Sequence, residues 1–309
     1  MDTLTIEHTY RVVLGDINRF RIMVVGVGGT GSTLALFLAG LAYHARQKGI
    51  QVELTLVDHD VVELKNCGRQ AVSLQAALVG SVPKVADLAL RLNAAYGLDI
   101  TAWPQPYVMD MARSWFHHGA GGRECAHLII GCVDNHLARR EIAKTVELFD
   151  GRLWAIDCGN EQNSGQVLIG NLADGRKIRT DRLGLCSGLP SPYLQEPDLL
   201  TPDPNAQAPS CAEMALAETQ SLMVNRMAAT IAAQVTAVFV LQRQVLHLGT
   251  VFTLDPPTAR SRLITPTTLN PYPTAAPVIT TGVFISRPIG RCERRGLNRL
   301  GGVNSAQMF

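Results

Sequence analysis

Two short stretches of this chain carry residue types that could do chemistry together. The first, Gly26-Val27-Gly28-Gly29-Thr30-Gly31, fits Gly-x-Gly-x-x-Gly between an apolar strand and an apolar helix. Glycines let backbone approach a phosphate closely, and the following helix offers free N–H groups at its start. The second runs from Asp58 and Asp60 through Asn66 to Arg69 and Gln70. Asp58 closes the next apolar run, where a carboxylate can accept hydrogen bonds from both hydroxyls of a ribose.

The glycine motif alone does not choose between nucleotides. ATP brings about four negative charges and a Mg²⁺ ion, whereas NAD brings about two and no metal. A triphosphate site therefore needs fixed cations and a spare carboxylate. Arg69 and Lys84 can supply the cations, Asp134 the carboxylate for the metal, with help from Asp60. Asn66 and Gln70 can add neutral hydrogen bonds. Each has a plainer reading alone: a surface ion pair for Arg69, a solvated helix face for Lys84, a helix N-cap for Asp134. Their joint occurrence in this order favours ATP. An NAD-dependent oxidoreductase would use Gly26–Gly31 and Asp58 alike but leave Lys84 and Asp134 without a purpose.

The elements that must position these residues alternate along the first half. Arg21–Val25 reads as a strand and Ser32–Ala45 as a helix with Leu34, Phe37, Leu38 and Leu41 on one face. Val52–Val57 is the next strand, and Pro83–Tyr96 a helix turning Val85, Leu88, Leu90 and Leu92 inward. Ile100–Trp103, His127–Gly131 and Leu153–Ile156 read as further strands, with a helix from about Asn135 to Leu148. This order predicts an α/β fold with a doubly wound, Rossmann-like and mainly parallel sheet, with ligands at the carboxyl ends of its strands. The second half changes character. Gly165–Ile169 reads as an antiparallel strand, Leu189–Pro209 as a surface loop, and Cys211–Val245 as a long helix. Val251–Leu254 and Arg262–Ile264 then form a strand pair extending the sheet.

Composition sets the outer bounds. The chain has 309 residues, 47% hydrophobic and 17% charged, which suits one large core or a domain with a second lobe. A net charge of +2 gives no bulk drive toward nucleic acid or anionic lipid. Residues 1–11 are polar and mixed in charge, and the segment around Met227–Leu241 is short for a membrane span. The expectation is a soluble, cytoplasmic protein without membrane or nucleic-acid partners. Seven cysteines are scattered with no Cys-x-x-Cys pair, so no structural zinc is expected.

Gly26–Ser32, the spaced set Asp58, Asp60, Val62, Asn66, Arg69 and Gln70, then Lys84 and Asp134-Asn135-x-x-x-Arg139 resemble the ThiF/MoeB and ubiquitin-activating-enzyme superfamily. Gly159–Val167 is similar to that superfamily as well. The resemblance covers about residues 21–245. It implies that Asp58 holds ribose, that Asn66, Arg69, Gln70 and Lys84 hold phosphates, and that Asp134 holds Mg²⁺. The implied reaction joins the C-terminal carboxylate of a small ubiquitin-like or sulfur-carrier protein to the α-phosphate of ATP, in a homodimeric enzyme. A non-catalytic subunit of an activating enzyme would keep the fold but lose the arginine, which is present here as Arg69. On this reading residues 1–264 form the adenylation domain. Its nucleotide half spans about 20–157 and its substrate half about 158–264, followed by a Pro/Arg-rich tail at 265–309.

The pattern breaks in places. The superfamily's usual cysteine pairs are missing, and its N-terminal arginine has only Arg11 and Arg19 as possible substitutes. For a thioester step, Ser210-Cys211-Ala212-Glu213 fits a capping box that puts Cys211 at a helix start, where the dipole favours a thiolate. The alternative is a small apolar residue under a loop. Cys186 is a second candidate, and Cys132 reads as core. Pro209–Glu213 with Gln220 and Asn225 also resembles the ThiF-like proteins of plasmid PRTRC cassettes. The arginines at 287, 291, 294, 295 and 299 read as a solvated basic end.

Overall fold

The computed structural model describes residues 8–117, 125–202 and 223–272. In chain order the strands and α-helices are β1 Val12–Val13, β2 Arg19–Val25, α1 Gly29–Gln47, β3 Gln51–Val57, α2 Leu74–Val79, α3 Lys84–Tyr96, β4 Thr101–Trp103 and α4 Met109–His117. They continue with β5 Cys125–Gly131, α5 His136–Leu148, β6 Leu153–Asn160, β7 Ser164–Gly170, α6 Pro192–Gln195, α7 Val224–Ala237, β8 Gln244–Val245, β9 His247–Leu254, β10 Pro257–Leu263 and α8 Pro266–Leu269.

Eight strands form one sheet in the order β10-β9-β7-β6-β5-β2-β3-β4. From β6 to β4 every pair is parallel, and β7, β9 and β10 extend the sheet antiparallel. The chain leaves β2 toward β3 on one side and returns to β5 on the other. The carboxyl ends of β2, β3 and β5 therefore frame a switch point, the crevice where such sheets bind ligands. One face buries α1, α3 and α7 through Leu34, Leu38, Val85, Leu88 and Ala232. The other buries α4 and α5 through Trp115, Phe116, Ile142 and Val146. Alternation along β5 explains this, since Leu128 and Ile130 join the first cluster and Ile129 the second.

The α/β, doubly wound reading holds, with local corrections. Leu90 is 72% exposed, because Val85, Leu88 and Leu92, three and four apart, share a helix face that Leu90 does not. Phe37 is exposed as well. β6 runs four residues beyond Ile156, since Asp157, which reads as the end of an apolar run, is buried in an ion pair. α7 stops short of Val245. It passes into a π-turn over Val238–Gln242, Arg243 takes a φ of 55°, and Gln244–Val245 pairs with β1. Val224–Gln242 is long and apolar enough to cross a membrane by length and composition; here Ala228, Ala229, Ala232 and Phe239 are fully buried against the sheet and α1. Thr265 caps α8, and Leu269 and Tyr272 are buried in the main core, so the packed body continues to Tyr272.

Candidate functional site

The four glycines of the turn do different jobs. Gly26 has a φ of +86°, and a Cβ there would stand 2.6 Å from the Cys132 carbonyl oxygen. Gly31 packs against the Gly26 carbonyl with no space for a side chain. Gly28 has nothing within 4 Å of where its Cβ would be, and its backbone faces an open cleft. α1 starts here with no side-chain cap and no acidic residue in its first turn, so its leading N–H groups are left for a ligand.

The cleft above this turn has a volume of ≈ 600 Å³, within the range of small-molecule sites. Asp58, Asp60, Asn66, Arg69, Gln70, Lys84 and Asp134 all line it, so the sequence-predicted set converges on one place. Asp58 is held from both sides, one oxygen accepting the Val27 N–H at 2.6 Å and the other the Asp60 N–H at 2.8 Å. That pins the carboxylate beside the glycine turn while each oxygen keeps a second lone pair.

Lys84 is the first residue of α3, where the helix dipole opposes a cation, and it is only 5% exposed. Its ammonium donates to Asp60 at 2.8 Å. Burial works against the Asp60 carboxylate, but the hydrogen bond and charge of Lys84 outweigh it and hold Asp60 below the usual carboxylate range. Asp60 is thus Lys84's counterion here. Ligand atoms of Asp58, His59 and Asp60 lie within 4.8 Å of one another, yet Asp58 and Asp60 are already engaged as described.

Asn66 is drawn into the wall at 3% exposure, its side-chain oxygen accepting the Glu63 N–H at 2.9 Å. It shapes the loop that presents Arg69 and Gln70, whose backbone N–H groups both donate to its carbonyl. The Gln70 Oε1 is buried without a hydrogen-bond partner among the described residues, as a site awaiting a ligand would leave it. Asp134 is exposed just past β5, and Asn135 rather than Asp134 caps α5. The capping alternative for Asp134 is therefore gone.

Cys211 lies outside the described residues. Cys186 is 4% exposed, and burial pushes its thiol up to about 11, so it is no activated nucleophile. Cys132, read from sequence as core, packs against the main core and also lines the cleft. Arg19 is paired with Glu53 at the amino end of β2, the opposite end of the strand from the glycine turn.

Sequence reasoning missed two clusters. Thr30 donates to the Asn225 side-chain oxygen at 2.9 Å, and Asn160 donates to the same oxygen, tying α7 and β6 to the glycine turn. Asn225 also fills the space beside Gly29, where a Cβ would stand 2.5 Å from its amide nitrogen. Beneath the opposite face, Arg139 pairs with the 1%-exposed Asp157 at 3.2 Å, with the Tyr193 hydroxyl at 3.5 Å. Burial raises the Asp157 carboxyl above its ordinary value although Arg139 opposes the shift. The signal for the second cluster was present in the Asp134-Asn135-x-x-x-Arg139 spacing, which puts the arginine one turn into α5.

Fold and cleft together define a doubly wound α/β protein with a nucleotide-type glycine turn. The ThiF family model matches residues 11–272, and the chain belongs to the ThiF family. Over 92 residues it is 38% identical to the adenylyltransferase and sulfurtransferase MOCS3 of Mus musculus, a stretch covering 29% of this chain and 18% of that protein. Among solved structures, E. coli MccB with AMPCPP and MccA superposes with a TM-score of 0.50 at 15% identity, over 79% of this chain and 64% of MccB. Another structure of E. coli MccB gives 0.50 at 14% identity, over 85% and 68%. These likenesses speak to fold.

Proposed function

We propose that this chain uses ATP and Mg²⁺ to adenylate the C-terminal carboxylate of a small ubiquitin-like or sulfur-carrier protein. The observation carrying the reading is the convergence of Arg69, Lys84 and Asp134 on one cleft with the glycine turn. A dinucleotide would leave that charge set unused. The name of MOCS3 and the AMPCPP and MccA of the MccB structure point in the same direction.

On this reading Asp58 receives the ribose, the uncapped start of α1 and the open face of Gly28 receive phosphate, and Arg69 and Lys84 neutralise it. Gln70 supplies a neutral polar contact. Asp134 fits a metal, being a carboxylate at the cleft with no ion-pair partner among the described residues, and Asp60 can join it only by sharing with Lys84. Mg²⁺ would supply charge neutralisation across the phosphates. The carrier's carboxylate oxygen attacks the α-phosphorus, the bond to the bridging oxygen breaks, and pyrophosphate leaves. The nucleophile is already ionised and needs no base, so positioning and fixed charge do the catalysis.

A following thioester on Cys211, a homodimeric assembly and a cytoplasmic setting belong to the same proposal. The narrower kinship with plasmid PRTRC proteins rests on residues 209–213, Gln220 and Asn225, of which Asn225 alone is described. The test is ligand protection against thermal unfolding. ATP with Mg²⁺ should raise the midpoint and NAD should not. Protection by NAD alone would replace the proposal with an oxidoreductase.

A further inference from the structure

Cys132 and Cys158 stand beside each other at the floor of the cleft. β5 and β6 are parallel neighbours whose last paired residues are Gly131 and Asp157, and the two cysteines follow directly. They share a face. Leu128 and Ile130 on β5, and Trp154 and Ile156 on β6, belong to the cluster that contains Cys158 and against which Cys132 packs. Adjacent strands lie about 4.8 Å apart, inside the roughly 4.4–6.8 Å window of Cα separations that a disulfide spans. Both cysteines line the cleft, and the Cys132 thiol acts on the Cys158 thiol. Their access differs. Cys132 is part-exposed in the cleft, whereas Cys158 is 3% exposed, so a reagent meets Cys132 first.

We propose that Cys132 and Cys158 form a reversible disulfide, made by exchange with a small-molecule disulfide of the glutathione type that enters through the cleft. In the first exchange the Cys132 thiolate attacks one sulfur of oxidised glutathione, breaks its S–S bond and releases one glutathione thiolate. In the second, Cys158 loses its proton and attacks the Cys132 sulfur, forming the Cys132–Cys158 bond and expelling the second glutathione. Two protein thiols are oxidised and one glutathione disulfide is reduced to two thiols. The hydrogen bond with Cys132 and burial both hold the Cys158 thiol well above the ordinary range, so the second exchange accelerates as pH rises. The bond ties two strand ends directly under the glycine turn, where the Cys132 carbonyl already abuts Gly26.

The experiment treats the full chain with oxidised glutathione, blocks free thiols by alkylation, and maps cysteine peptides by mass spectrometry over time. The expected result is a transient glutathione adduct on Cys132, followed by a Cys132–Cys158 linked peptide that dithiothreitol abolishes. Cys158→Ala should halt the reaction at the Cys132 adduct, and thermal unfolding of that variant checks that it folds. The wild-type time course decides the matter even if the variant does not. A lasting adduct on Cys132 with no linked peptide would overturn the proposal. So would free thiols at both positions while the part-exposed Cys67 is modified.

Discussion

Gly31 packs directly on the carbonyl oxygen of Gly26, backbone against backbone. Nothing there can move aside as a flexible side chain would. Gly31→Ala should therefore destabilise the fold by about 3 kcal/mol, at the upper end of what overpacking costs. Gly28→Ala is the contrast, since its Cβ would meet nothing within 4 Å and its φ is −76°. It should unfold near the wild-type midpoint yet lose the protection given by ATP with Mg²⁺. Equal protection in both proteins would move the phosphate away from this turn.

Asp134 is exposed at the cleft with no ion-pair partner among the described residues. Asp134→Ala should keep stability within about 0.5 kcal/mol, as exposed substitutions do. Adenylate formation, followed by ATP–pyrophosphate exchange in the presence of the carrier protein, should fall by about 100-fold or more. Arg69→Lys should lose much of the same activity, because an ammonium cannot replace a planar fork. Full exchange in both variants would remove them from the site.

The Lys84–Asp60 pair is lopsided, with one partner buried and the other 51% exposed on its side chain. Asp60→Ala strands the buried ammonium and should cost about 1–3 kcal/mol, whereas Lys84→Met should cost less. Acid unfolding checks the same pair. Asp60 has its carboxyl lowered below the reference value of 3.8, so its stabilisation is complete above that pH. It fades only as pH drops further, through the folded-state value. Asp60→Asn should flatten this part of the acid limb.

Arg139→Met leaves the Asp157 carboxylate buried without its cation, which should cost about 3–5 kcal/mol at pH 7. Asp157 already has its carboxyl raised by burial, so the folded state holds its proton more tightly than the unfolded chain. The loss should thus shrink as pH is lowered through the folded-state value toward 3.8, and grow above it. Urea midpoints at pH 7 and pH 4.5 measure the recovery. A penalty that does not change with pH would mean the arginine acts through packing alone.

Much of this site was legible because its residues sit next to strong punctuation. Asp58 ends an apolar strand, Lys84 follows Pro83, and Asp134 follows the glycine-terminated β5. Polarity inside the fold was harder to read. Asp157 interrupts an apolar run, which suggested the end of a strand, yet its pairing with Arg139 lets β6 continue and carry Cys158 and Asn160 into the cleft. Asn66, typed from sequence as a ligand contact, lines the cleft and also braces the loop that carries Arg69 and Gln70. Long-range partners left no local trace, so the meeting of Thr30 with Asn225, 195 positions away, could not be foreseen.

That last bond makes Asn225 a mechanical fastener between the two ends of the chain's active region. Asn225 fills the space beside Gly29, and its helix α7 packs on the same face of the sheet as α1. One side-chain oxygen thereby ties the start of α1, the end of β6 and the start of α7 into a single corner of the cleft.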